Sequence, residues 1–383
     1  MSEAINVDSL VRAAQKNNKK DRWFHRNPKK TIALTLLVMV LFIDWVTGVL
    51  VIPSDYNAYR APHPYYHHRL LPNRSDTARW GETSYPMYTN SLGFRDSAPR
   101  QVANKSAKKR IVMIGDSFTE GLGLPYSQTF VGLLAKTMEP QNTEIFNAAV
   151  VSYSPKLYYL KIKFLLEEQR FSFDRLIVFI DISDIQNEIS YRAFTPMPFS
   201  TWDVISYHIK RFLKQHSFFY FSLNKLFQSQ EELLIAGATQ DGIFPCFSET
   251  DKQLLLDKAF IDSCARWTID QNLFKKYGQT GLSLAIANMQ KLADLCKQHR
   301  IHLTIAVYPW PEQIFYRDLD SIQVKAWQQF AYVNGITLIN LFPAFIDNRA
   351  ARDVYPLYFL QPDVHWNAAG HRLIAQKVLP YLK

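Results

Sequence analysis

Apolar and polar positions fall into three regimes along the chain. Residues 31–52 are almost continuously apolar, residues 53–105 show little periodicity, and from residue 108 short apolar runs alternate with stretches of helical spacing. Ile111, Val112, Met113 and Ile114, three of them β-branched, predict a buried strand that Gly115 ends. Phe130, Leu133, Leu134 and Met138 recur at helical spacing after Pro125, which suits a helix start. Strands are predicted at 143–147 and 176–182 around a helix at 156–169. Residues 190–278 then interrupt the alternation with aromatic and aliphatic clusters at 218–221 and 254–256, predicting an insertion that forms a helical lid or substrate wall. Alternation resumes with the stripe Leu282, Ala285, Met289, Leu292 and Cys296, a strand at 302–308, a helix at 320–334, a strand at 335–341 and a closing helix carrying Ile374, Val378 and Leu382. This order predicts an α/β fold in three layers, with a mostly parallel sheet covered on both faces.

As a helix, residues 31–52 are about 33 Å long, enough to cross the hydrocarbon core of a bilayer. A cleavable signal peptide would have a shorter apolar region ending at small residues, and no Ala-x-Ala site follows here. Residues 1–30 carry eight Lys or Arg against three acids, about half of the chain's net charge of +10. The positive-inside rule then predicts a single-pass bacterial inner-membrane protein with a cytoplasmic amino terminus and a periplasmic or otherwise extracytoplasmic domain. The expected organisation is a basic tail at 1–30, a transmembrane anchor at 31–52, an arm packing on the sheet edge at 53–105 and an α/β domain at 106–383 that contains the 190–278 insertion. Asp44 interrupts the apolar run past its midpoint, where a carboxylate either stays protonated or reaches the interface, or meets a polar group on a partner membrane protein.

With 383 residues, 48% of them hydrophobic, the chain can bury one large core with a small accessory domain. Beyond the tail it lacks the interleaved basic and aromatic residues of a nucleic-acid surface, so no nucleic-acid partner is expected. Three cysteines exclude a complete disulfide framework; Cys246 and Cys264 can pair outside the cytosol, and Cys296 falls on a helix stripe. His63, His67 and His68 invite a metal reading, but Pro64 disrupts the helix that would align the first two, and no acid or cysteine completes the set.

Ser117 stands just past the first predicted strand, where open α/β sheets place their ligands. A serine hydroxyl needs an imidazole to take its proton and a carboxylate to fix the ring's tautomer. Asp363 and His365 supply both, just before the closing helix. Together, Gly115-Asp116-Ser117 and Asp363-Val364-His365-Trp366-Asn367 resemble the nucleophile block and final block of the SGNH (GDSL) hydrolase superfamily. The Asp-x-His-Trp spacing is similar to the branch containing bacterial polysaccharide O-acetyltransferases.

The resemblance covers residues 108–383 and implies a flavodoxin-like fold with a Ser117, His365 and Asp363 triad that requires no metal or organic cofactor. It implies oxyanion donors at Ser152, where the family usually has glycine, and at Ser183, where it usually has asparagine; Asn187 is a substitute one turn on. The stretch 88–96 looks like the arm before the nucleophile strand, making Arg95 a candidate for anchoring substrate. Trp310, at the crevice end of its strand, either lines a sugar site or packs. The function implied is a membrane-anchored serine esterase or O-acyltransferase acting on acyl, chiefly acetyl, esters of a cell-envelope polysaccharide or glycolipid. The alternative is a tethered glycan-binding or assembly protein whose chemistry has weakened.

Overall fold

The computed structural model describes residues 25–52, 59–197, 200–223, 226, 266–361 and 363–382. Cys246 and Cys264 lie outside these residues. The described residues form ten strands: β1 (Arg60–His63), β2 (His67–Leu70), β3 (Ser75–Trp80), β4 (Thr83–Thr89), β5 (Arg95–Asp96), β6 (Lys109–Ile114), β7 (Thr143–Asn147), β8 (Arg175–Ile180), β9 (His302–Val307) and β10 (Thr337–Asn340). The main helices are α1 (Pro28–Val51), α2 (Ser117–Glu120), α3 (Phe130–Met138), α4 (Pro155–Glu167), α5 (Asp184–Tyr191), α6 (Thr201–His216), α7 (Gln279–Gln298), α8 (Ile322–Asn334) and α9 (Ala368–Val378).

The chain forms two compact units. The larger is built on an eight-stranded sheet of order β10-β9-β8-β6-β7-β5-β4-β3. The first five of these strands are parallel and the last three antiparallel. The α/β fold and its mostly parallel sheet are those predicted. β6 is buried at every residue after Lys109, which is why it reads as an unbroken apolar run: helices cover both of its faces. Helix α7 packs with α4 and α5, and α3 packs with α9. Residues 53–105 do more than lie along an edge, since β3, β4 and β5 extend the sheet itself beyond β7.

After β6 the chain places β7 on one side and then β8 on the other. Strand order therefore reverses at β6, and the crevice at the carboxyl ends of β6 and β8 is where such sheets bind ligands. Residues 115–117 and 181–184 both emerge there.

The smaller unit contains α1 and α6. Helix α1 has 24 residues, with a mean hydropathy of 2.4 over its most apolar 18, and is long and apolar enough to cross a membrane. Asp44 finds its polar partner within the chain, accepting a hydrogen bond from the Phe219 amide at 2.8 Å. Residues 200–223, predicted as part of a lid, group with α1 rather than with the sheet; residues 227–265 of that insertion lie outside the described residues.

Candidate active site

Gly115 is required by its surroundings. A Cβ there would come within 2.3 Å of Thr119 Oγ1 and 3.0 Å of the Phe179 carbonyl, so strand β6 can turn into α2 only without a side chain. Asp116 caps α2 by accepting a hydrogen bond from the Phe118 amide at 3.0 Å, and Ser117 is the first helical residue. Its hydroxyl is 2.8 Å from His365 Nε2. On the far side of the ring, Nδ1 bonds the Asp363 carboxylate, which also accepts the His365 amide at 2.8 Å. With the Nδ1 proton directed at Asp363, Nε2 keeps its lone pair for the serine proton. Burial acts to raise the Asp363 pKa, but the His365 ring and the hydrogen bonds it receives outweigh burial and hold it at about 2. The carboxylate is therefore ionised throughout the neutral range.

Two residues outside the sequence-predicted set complete this arrangement. Trp80, the last residue of β3, donates its indole N–H to the second Asp363 oxygen at 2.8 Å, and its ring meets the His365 ring edge to face at 5.0 Å. Tyr355 donates its hydroxyl to the Asp363 carbonyl at 2.9 Å. Trp80→Phe keeps the aromatic bulk and removes the donor. A hydrogen bond to a charged group contributes about 1.5–3 kcal/mol. We expect kcat/KM for an activated ester to fall roughly tenfold in this variant with little change in thermal midpoint, as steady-state kinetics beside a circular dichroism melt will show.

The backbone at Ser152 has φ of +59°, the left-handed conformation that glycine adopts freely, so serine here follows the backbone course that a glycine would supply. Among the described residues no protein acceptor meets the amides of Ser152 or Ser117. The flanking amides are taken, Val151 by Glu120 and Tyr153 by the Val150 carbonyl. The arm holds this loop in place. Arg60 makes a bidentate ion pair with the buried Glu120, and His68 donates Nε2–H to the Val151 carbonyl at 2.8 Å. Lys161, buried and lowered to about 7 by that burial, donates to the Ala148 carbonyl. Because serine pays a steric cost at positive φ, Ser152→Gly is expected to raise stability by up to about 1 kcal/mol while turnover is retained. Chemical denaturation paired with an ester assay checks both halves.

The structure corrects the expected roles of Arg95 and Ser183 and decides between the two readings of Trp310. Arg95 is 1% exposed, and its guanidinium donates to the carbonyls of Glu120, Gly121 and Leu124. It neutralises the carbonyl end of α2 from beneath and has no path to a substrate. Trp310, 4% exposed, donates its indole N–H to Asp181 at 2.8 Å and packs near Phe118, so it supports the nucleophile turn instead of lining a sugar site. The single hydroxyl proton of Ser183 goes to Asp181 at 2.8 Å, leaving that side chain no proton for an oxyanion. Asn187 is half-buried on α5, one turn beyond Ser183.

Asp116, Asp181 and Asp184 form a buried cluster behind Ser117, their oxygens within 4.8 Å of one another. Burial, followed by the charge of Asp181, raises both Asp116 and Asp184 well above the carboxylate range. Tyr308 donates to Asp116 and Tyr158 to Asp184. The arm histidines are structural: His63 stacks on Tyr66 with ring centroids 3.6 Å apart, and burial lowers it to about 3. Cys296 is buried, with its thiol pushed up to about 12.

No protein-family model matches the chain, and no curated protein matches it. Among solved structures, it is similar to that titled TesA at 12% identity, with 72% of this chain and 98% of that chain covered and a TM-score of 0.40. The acetyl xylan esterase AlAXEase matches at 14% identity over 72% of this chain and 100% of that chain, with a TM-score of 0.38. A lipolytic protein of the G-D-S-L family from Veillonella parvula matches at 13% identity over 71% and 97%, with a TM-score of 0.36.

Proposed function

We propose that this chain is an SGNH-type serine esterase or O-acyltransferase, anchored by α1, that acts on acyl esters of cell-envelope glycans. The observation that carries the proposal is the relay from Ser117 through His365 to Asp363, with 2.8 Å between the hydroxyl and the ring.

Ser117 Oγ attacks the acyl carbonyl while His365 Nε2 takes its proton. The tetrahedral oxyanion is met by the Ser117 and Ser152 amides, with Asn187, one turn beyond Ser183 on α5, as the candidate side-chain donor. His365 then returns the proton to the departing sugar oxygen, which leaves an acyl-serine. Water activated by His365 completes hydrolysis; a second glycan hydroxyl in its place completes transfer. Asp363 stays ionised and stabilises the imidazolium formed in each half-reaction. The basic segment before α1 supports a cytoplasmic amino terminus and a periplasmic catalytic unit.

The commitment of the Ser183 hydroxyl to Asp181 favours a second reading, a glycan-binding or assembly protein with weakened chemistry. Loss of one oxyanion donor costs about 2.7–4 kcal/mol of barrier, slowing such a site without abolishing it. The full chain in detergent, given a panel of acetylated sugars with and without acceptor glycans, is expected to release or transfer acetate. Glycan binding that persists without turnover of any ester would establish the second reading instead.

A further inference from the structure

Helix α6 presents an apolar stripe that nothing described in the chain covers. Trp202, Ile205, Ile209 and Phe212 are 70%, 44%, 50% and 58% exposed, and their spacing of three, four and three residues puts them on one face. Lys210, Arg211 and Lys214 occupy the opposite side, and Asp203 is the helix's sole acid. Ser200 and Asp203 form a capping box, which fixes where this helix begins. None of the described side chains of α6 is buried.

Its carboxyl end is tied to α1 at two points. A Cβ on Gly48 would come within 2.3 Å of the His216 carbonyl, so the two backbones touch there, and Asp44 accepts the Phe219 amide. Gly48 lies three residues before the end of α1, about 5 Å along the axis, which is near the boundary between headgroups and acyl chains if α1 spans a bilayer. Beyond the junction, Phe219 and Leu226 are also exposed, at 68% and 73%.

We propose that α6 is a membrane-interface helix whose Trp202, Ile205, Ile209 and Phe212 stripe lies in the acyl boundary of the leaflet that α1 exits, with its basic side toward anionic headgroups. Two features select lipid as the occupant. The stripe is continuous, through the Gly48 and Asp44 contacts, with the helix that crosses the bilayer. The charge on its other side complements an anionic surface. The inference rests on the anchoring role of α1, and it gives the catalytic chain a second, lateral hold on the membrane.

The test uses the full chain, with its cysteines replaced, in vesicles of phosphatidylcholine and phosphatidylglycerol. Single nitroxide labels are placed by Ile205→Cys, Ile209→Cys, Phe212→Cys, Lys210→Cys and Lys214→Cys, with Leu36→Cys and Met39→Cys as α1 references. The ratio of oxygen access to access by a water-soluble nickel reagent is expected to be several-fold higher at 205, 209 and 212 than at 210 and 214. Nickel access equal on both sides would show the stripe in water and overturn the proposal. Exclusion of both reagents from the stripe would show it covered by protein, a second copy included, and would also overturn it. Protected α1 labels beside an open stripe would sink this inference alone, whereas nickel access at 36 and 39 would remove the anchor and the inference together.

Discussion

Replacing Ser117 with alanine is expected to lower turnover of an activated ester by about 10⁴-fold or more, leaving thermal stability close to that of the parent chain. The hydroxyl is small and makes its closest contact with His365, so the substitution removes the nucleophile without opening a sizeable cavity. Since the oxyanion donors still polarise a carbonyl, residual turnover above the uncatalysed rate is expected. Burst kinetics sharpen the experiment: the parent chain should show a first turnover faster than steady state wherever deacylation limits, and Ser117→Ala should show none. Undiminished turnover in the variant would place the chemistry elsewhere.

Asp363→Asn is expected to cost nearly as much, about 10⁴-fold in kcat, and for a different reason. Every group facing this carboxylate is a donor: the amide and Nδ1–H of His365 on one oxygen and the Trp80 indole on the other. An asparagine amide turned with its oxygen toward His365 presents its NH₂ to the indole N–H. Turned the other way, it forces Nδ1 to accept and puts the ring proton on Nε2, where it faces the serine hydroxyl instead of receiving its proton. The first orientation keeps the working tautomer only with two donors opposed at the indole, the second loses the tautomer, and either way the substitution removes the charge that stabilises imidazolium. Asp363→Glu would separate the effects, restoring charge with altered reach. An Asp363→Asn protein with parental kcat would show that the carboxylate only packs.

Much of the core of this site was legible in the chain because its signals are local. A buried parallel strand must be an unbroken apolar run, and Ile111 to Ile114 is one. Gly115 marks a close approach that the structure locates against Thr119 and Phe179. Asp363 and His365 are two residues apart, so their pairing is set by one short loop. The serine at 152 was readable only as a departure from glycine; its φ of +59° shows that the backbone kept the conformation while the side chain changed.

What escaped the sequence is what depends on distant segments. Trp80 ends a short edge strand of mixed exposure and lies 283 positions from Asp363, so no spacing rule connects them. Arg60 and His68 belong to a hairpin in a stretch without periodicity, and they act by holding Glu120 and Val151. Arg95 was misread, and Trp310 was left between two readings, because a long polar or amphipathic side chain near a crevice looks the same in sequence whether it faces ligand or backbone. Burial of Arg95 and the bond from Trp310 to Asp181 decide the matter. In the insertion, the aromatic cluster at 218–221 drew attention to a lid, whereas the informative pattern was the three-and-four spacing of Trp202, Ile205, Ile209 and Phe212 in a chain that also carries a helix apolar enough to cross a membrane.

Covalent capture of Ser117 tests the central claim most directly. The purified full chain is treated with a fluorophosphonate, and the adduct is quantified by intact mass and located by peptide mapping. The account requires one phosphonyl group per chain, on Ser117, absent from Ser117→Ala and formed far more slowly in His365→Ala. An unlabelled chain whose circular dichroism shows it folded, or an adduct that persists at another residue when Ser117 is alanine, would contradict it.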